Sequence, residues 1–371
     1  MDRAGLSAVA RGLRQGPRHR GPAVQLRPGF LARAAGAEPM IPHSRPTLGQ
    51  EEAEAAARVV ASGHVAQGSE VEAFEQECAA LVGRRHGVAV NSGAAALHLA
   101  LLVCGVSDGQ TVAMPSYACA ALPQAAAWCR ASIRLCDSGQ DGNLDTATVP
   151  EVDAVVVPHL FGAAADIDPG WPCAIEDIAQ SIGGLTGRTG RVAVASFYAT
   201  KLLTTGMGGM LLTDDAALVE HARDLRDYDN RNVWRTRHAY ALNDIAAAIG
   251  RVQLRRLPGF VARRRELAAR YTDALSGLPL SLPSGDDHVY FRYVVRLEAR
   301  DALEAHLNAR GIEAKRPVYR PAHHDLGGAF PGADALHAEA LSLPLYPTLT
   351  DAEADAVLAA VRDFFDAGGA A

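Results

Sequence analysis

Val71, Phe74, Cys78 and Leu81 fall three or four positions apart and Gly83 follows them, so the spacing predicts an amphipathic helix over 70–82. A second helix is predicted over 50–62, stopped by Gly63. Beyond them, short apolar runs alternate with helical stretches. Strand-like runs fall at 88–91, 111–114, 133–137, 154–158, 173–177, 192–196 and 209–213, with helices at 95–104 and 118–128. This alternation predicts an α/β fold with a mostly parallel sheet. A helical region follows over 243–256 and 261–275, with a break expected at Pro258. After Pro279 the pattern changes. An alternating strand over 289–297 and helices over 301–310 and 351–365 predict a smaller α+β domain. The expected organisation is a large α/β domain over 41–256 and a small C-terminal domain over 257–371.

Residues 1–40 do not fit this pattern. They hold seven arginines and two acids, and Gly, Pro and Arg interrupt every apolar period. An extension is expected there, disordered or mis-assigned with Met40 as the true start; a transit peptide is the other reading. The chain as a whole has 371 residues, a formal charge of −6 and 49% hydrophobic residues. That is the composition of an ordinary globular protein. No apolar stretch is long enough to span a bilayer, and an acidic chain with 6% aromatics offers no footprint for nucleic acid. Six cysteines with no C-x-x-C pair predict reduced, mostly buried thiols in a cytoplasmic protein, and no metal site.

In an open α/β sheet, ligands bind at the carboxyl ends of the strands, so the polar residues there are the candidates. Asn91-Ser-Gly-Ala-Ala-Ala-Leu97 leads from a strand into a helix, where unpaired N–H groups can receive an anion. Asp177 ends an apolar strand. Lys201 follows another strand, in Ser196-Phe-Tyr-Ala-Thr-Lys201, and precedes a glycine-rich turn. In a chain that prefers arginine, a lysine there is notable, because lysine forms an imine and arginine does not. A Schiff-base lysine, a carboxylate for a ring nitrogen and an anion cradle together fit pyridoxal 5'-phosphate. Neither a dinucleotide G-x-G-x-x-G after the first strand nor a P-loop is present.

Seven ordered segments resemble the DegT-type sugar aminotransferases. They are Asn91–Leu97, Pro115-Ser-Tyr117, His159-Leu-Phe-Gly162, Ile175-Glu-Asp-Ile-Ala-Gln180, Ser196–Lys201, Asn243-Asp-Ile-Ala-Ala-Ala and Leu341-Ser-Leu-Pro-Leu-Tyr-Pro347. The resemblance runs from about residue 41 to 365. It implies a fold-type I pyridoxal-phosphate-transferase architecture and transfer of an amino group, from L-glutamate, to a keto-sugar that is usually nucleotide-linked. It implies that Lys201 bears the cofactor, that Asp177 pairs with its ring nitrogen, and that Gln180 bonds its hydroxyl. Ser196 and the backbone of Gly93, Ala94 and Ala95 would take the phosphate. Cys119 stands where an aromatic residue often stacks on the ring. Arg320 and His323 resemble a segment that contacts the sugar nucleotide. The resemblance also implies a homodimer with a shared active site.

Several positions depart from the family pattern. Ala94 replaces a threonine, Met207 an acidic residue, and Ala239 stands where an asparagine from a partner subunit often reaches the phosphate. The other readings are a pyridoxal-phosphate-dependent dehydratase, which Lys201 disfavours, an aminotransferase for a keto-cyclitol, and a non-catalytic cofactor-binding regulator.

Overall fold

The structure is a computed structural model, and it describes residues 40–229, 231–285 and 287–368. The expected N-terminal extension lies outside the described residues apart from Met40. Two helices come first among the described residues, α1 over Gln50–Ser62 and α2 over Ser69–Val82, each ending at a left-handed glycine. Strand β1 (His86–Val90) runs into α3 (Gly93–Val103), β2 (Thr111–Pro115) into α4 (Ala121–Trp128), and β3 (Ser132–Cys136) follows. Next come β4 (Ala154–Pro158), β5 (Ala174–Asp177), β6 (Val192–Ser196) and β7 (Gly209–Thr213). These seven strands form one sheet in the order β1-β7-β6-β5-β4-β2-β3. Only β7 runs against its neighbours; β2 to β6 pair in parallel. The fold is therefore α/β, as the alternation of runs predicted.

Both faces of the sheet are covered, which is why β4 reads as an uninterrupted Ala-Val-Val-Val run, buried along its whole length. On one face α3, α4 and α5 (Ala216–Arg226) pack through Leu97, Leu101, Leu122 and Leu218. On the other, Phe74 and Cys78 of α2 meet Leu254 and Leu257 of α6 (Asp244–Leu275). Helix α6 spans 32 residues without interruption. The break expected at Pro258 does not occur. Pro258 faces solvent, while Leu257, Phe260 and Val261 are buried. Packing on those neighbours outweighs the one hydrogen bond the ring removes. The same helix crosses residue 256, so the polypeptide passes from the sheet's core to the C-terminal core with no linker.

The far half of α6 packs with α7 (Arg300–Ala309), α10 (Asp351–Asp366) and a two-stranded antiparallel sheet. That sheet pairs β8 (Tyr293–Arg296) with β9 (Ala340–Leu343). Strand β8 is shorter than the run expected over 289–297, because 289–292 are bonded to the turn at 160–162. Val289 N donates to Gly162 O at 3.0 Å and Arg292 N to Phe161 O at 3.1 Å. Short helices α8 (His323–Leu326) and α9 (Pro331–Glu339) complete the region. No helix among the described residues is long and apolar enough to cross a membrane. All six cysteines are free thiols, and Cys119 alone is exposed.

Candidate active site

The carboxyl ends of β1, β4, β5 and β6 open into a cleft of about 560 Å³. Ser92, Gly93 and Ala94 border it after β1, Pro158 and His159 after β4, Asp177, Ala179 and Gln180 after β5, and Ser196 and Lys201 after β6. Cys119, Met207 and Arg320 also line it. The sheet thus brings together most residues that the sequence singled out. Two are not on the wall. Ala95 sits one turn into α3, and its N–H is taken by the Ser92 hydroxyl at 3.1 Å as an ordinary N-cap. His323 is buried behind the wall, with Nδ1 2.5 Å from Ser116 Oγ and Nε2 3.0 Å from Asp334 Oδ1. Arg320 lies at the mouth, already paired with Asp325 through two contacts of 2.8 Å. His323, Arg320 and Ala95 thus have structural partners of their own.

Lys201 owes its place to a tight loop. Phe197 N donates to Gly208 O and Thr205 N to Phe197 O, which folds residues 197–208 back on themselves. Phe197 packs on Phe74 with ring centroids 5.0 Å apart. Gly250 of α6 permits this. A Cβ there would lie 2.6 Å from Phe74 and 2.9 Å from Thr205. Gly93 serves the opposite wall in the same way. A Cβ on it would meet Ser196 Cβ at 2.7 Å and Oγ at 2.8 Å. The Ser196 hydroxyl therefore stands at the N-terminus of α3, an eleven-residue helix whose first N–H groups point outward.

Asp177 Oδ1 accepts from Ala179 N at 2.9 Å, which fixes the carboxylate at the strand end. Burial raises the pKa of Asp177, while the Lys201 charge opposes that rise. Burial likewise lowers the pKa of Lys201. Asp177 and Cys119 oppose that fall, and Arg292 adds to it. Next door, His159 Nδ1 accepts from Ala165 N at 2.9 Å, so the ring proton sits on Nε2 and is donated to Glu176 at 3.0 Å. Glu176 also receives the N–H groups of Gly187, Thr189 and Gly190. This buried network pins the end of β5 beside Asp177. Gln180 Oε1 accepts from Phe161 N at 2.9 Å. That directs its amide NH2 away from Phe161.

Sequence reasoning missed Phe291 and Arg292, which both line the cleft. Lys201 Nζ lies 5.2 Å from the Phe291 ring centroid, and Arg292 Cζ lies at the same distance. The turn at Phe161-Gly162 carries them there. Phe161 holds a positive φ of 62°, and a Cβ on Gly162 would lie 2.9 Å from the backbone nitrogens of Tyr290 and Phe291. An arginine inside the run Val-Tyr-Phe-Arg-Tyr-Val was the available signal.

The arrangement suits a phosphorylated, carbonyl-bearing aromatic cofactor. Ser196 Oγ and the start of α3 form an anion cradle, Asp177 offers a carboxylate, and Lys201 offers a half-buried amine of lowered basicity. Comparison with known proteins agrees. The model of the DegT/DnrJ/EryC1/StrS aminotransferase family matches residues 46–362. The erythromycin biosynthesis sensory transduction protein EryC1 of Saccharopolyspora erythraea is 36% identical over 343 residues, covering 83% of this chain and 94% of that protein. GDP-perosamine synthase of Caulobacter vibrioides is 34% identical over 328 residues, covering 78% and 88%. The crystal structure of the aminotransferase TlmJ from Streptoalloteichus hindustanus superposes with a TM-score of 0.82 at 33% identity, covering 89% of this chain and all of that one.

Proposed function

The chain belongs to the DegT/DnrJ/EryC1/StrS aminotransferase family, and from that premise we propose that it uses pyridoxal phosphate to move an amino group from L-glutamate to a nucleotide-linked keto-sugar. The observation that carries this reading is the meeting of Lys201, Asp177 and Ser196 in one cleft. The relative named GDP-perosamine synthase carries a nucleotide diphosphate in its product's name, which supports a nucleotide-linked acceptor. A cleft of about 560 Å³ has room for a cofactor and part of a sugar.

When bound, pyridoxal phosphate supplies a carbonyl that accepts an amino group and a ring that draws off electrons. The rest falls to the protein. Ser196 Oγ and the N–H groups of Gly93 and Ala94 would receive the phosphate, and the α3 dipole favours its charge. The Asp177 carboxylate, anchored by Ala179 N, would hold a proton on the ring nitrogen. The Gln180 amide NH2 would donate to the ring hydroxyl. Lys201 Nζ would hold the cofactor through its carbonyl carbon and, once freed, would take the α-proton of the donor amine. Its lowered basicity leaves more of the amine unprotonated and able to do both. Cys119, on the same wall, would border the ring without stacking on it.

The test is a half-reaction. Protein loaded with pyridoxal phosphate should release 2-oxoglutarate from glutamate, with a matching change in the cofactor's visible absorbance. Lys201→Ala should abolish both. Asp177→Asn should keep the cofactor and lose at least about 100-fold in rate, roughly 2.7 kcal/mol of barrier. Normal conversion by Lys201→Ala would refute the assignment.

The same reading carries a homodimer. Tyr198, Met207 and Tyr319 rim the cleft at 49%, 58% and 82% exposure, and Trp234 stands 90% exposed. Side chains of this kind are typical of covered surfaces. Light scattering at micromolar concentration should give twice the chain mass; a monomer mass would count against it.

A further inference from the structure

Resting on the aminotransferase reading, we propose that Arg292 anchors a carboxylate of the amino donor. The residue is the cleft's unassigned charge. Of the other cations on the wall, Lys201 faces Asp177, and Arg320 is paired with Asp325 at the mouth. Arg292 has no carboxylate partner among the described residues. Its Nη1 donates to His43 Nε2 at 3.0 Å, with Nδ1 of the same ring at 3.4 Å. A guanidinium only donates, so His43 must receive, and burial beside Arg292 and Lys315 keeps that imidazole neutral. His43 is held in turn by Ser342 Oγ at 2.9 Å. Nε and Nη2 form no hydrogen bond to the described residues, on a side chain that lines the cleft.

A guanidinium taken out of water with no opposite charge is costly. Here burial lowers its pKa to about 10. Arg264 lies close by, fully buried, its Nη1 donating to the carbonyls of Tyr290, Phe291 and Leu345. On the cleft wall itself, Lys201 and Arg292 face the single carboxylate of Asp177, which leaves the cleft in want of an anion. The free edge of a guanidinium matches a carboxylate with two parallel N–H donors.

The place of Arg292 selects which anion. Lys201 Nζ and Arg292 Cζ lie at equal distance from the Phe291 ring, so no more than twice 5.2 Å separates them. An amino acid whose nitrogen replaces the lysine carries its carboxylates within a few bonds of that point. The cofactor's phosphate already has donors on the wall formed by Gly93 and Ser196. Arg292 therefore serves the donor and the keto acid formed from it, and sets a preference for carboxylate-bearing amines.

Calorimetry on the protein loaded with pyridoxal phosphate tests this without turnover, using succinate, 2-oxoglutarate and GDP as probes. Wild type should bind both dicarboxylates. Arg292→Met should weaken them by roughly 10- to 100-fold and leave GDP unchanged. Arg292→Gln, which keeps a donor for His43, should show the same loss and serves if the methionine variant does not fold. The KM for glutamate should rise with them. If wild type binds no dicarboxylate, if both variants bind them as wild type does, or if only GDP binding weakens, the proposal is overturned. Dicarboxylate binding that depends on Arg292, without conversion of glutamate, would leave this site standing and remove the aminotransferase reading.

Discussion

On the proposed reading, the Lys201 amine is the residue on which the chemistry turns, and its surroundings set its titration. Burial pushes its pKa below the usual 10.5, Arg292 pushes the same way, and Asp177 pulls back. Only the neutral amine condenses with a carbonyl. The rate of pyridoxal phosphate uptake by cofactor-free protein should therefore rise with pH and level off at a midpoint below 10.5. Arg292→Met removes a like charge, so its midpoint should move up; Asp177→Asn removes an opposite charge, so its midpoint should move down. Stopped-flow absorbance reads all three, and a wild-type midpoint at 10.5 would contradict the burial argument. The meeting of the lysine and the aspartate in one cleft was legible in the sequence, because both stand at strand ends and are the residue types that pyridoxal phosphate would demand there. Arg292 was not. Its role arises only when a turn 130 residues upstream folds against it, and no local spacing records that contact.

Helices α2 and α6 show how one segment can serve two elements. Asn243 caps α6, its side chain accepting from Ala246 N. The next residue, Asp244, caps a different helix. Its carboxylate accepts from Gly68 N at 2.8 Å, Val71 N at 3.0 Å and Glu70 N at 3.3 Å. Gly68 is the formal N-cap of α2 and has no side chain to offer; a Cβ there would lie 2.8 Å from Asp244 Oδ2. Asp244→Ala should therefore cost about 2–4 kcal/mol, from three bonds to a charged acceptor at a buried helix end. Urea denaturation measures it, and a loss under roughly 0.5 kcal/mol would show that water replaces the carboxylate. In the sequence, Asn243-Asp-Ile was readable only as a helix start and a family segment, since the partner helix lies some 175 residues away. Most other elements were readable from periodicity within a few residues. The failures have physical causes. The proline in α6 was overridden by packing on one side of a continuous helix. The strand at 289–297 lost its first half to the 160–162 turn, and β9 was hidden within the motif Leu341–Pro347.

For the whole molecule, buried neutral histidines govern the response to acid. Burial lowers the pKa of His98 to about 4, with His238 nearby adding to the effect. It lowers His288 to about 4 as well, with Arg265 contributing. His43 is held well below its ordinary value by burial, Arg292 and Lys315. In the unfolded chain each returns to about 6.5. Between that value and the folded pKa, the unfolded state carries the extra proton, so stability falls as pH falls. The loss starts near pH 6.5 and ends near pH 4 for His98 and His288. The carboxylates of Glu52, Glu176 and Glu313, whose pKa values are lowered, act in the same direction only below about 4.5. Asp177, whose pKa is raised, acts in the opposite sense. Moving from pH 7 to 5.5 should therefore act through the histidines and cost about 1 kcal/mol each for His98 and His288, with His43 adding in the same sense. Urea midpoints at the two pH values measure this directly. His288→Asn should flatten the dependence, and an unchanged midpoint in the wild type would mean that these rings titrate in the folded protein.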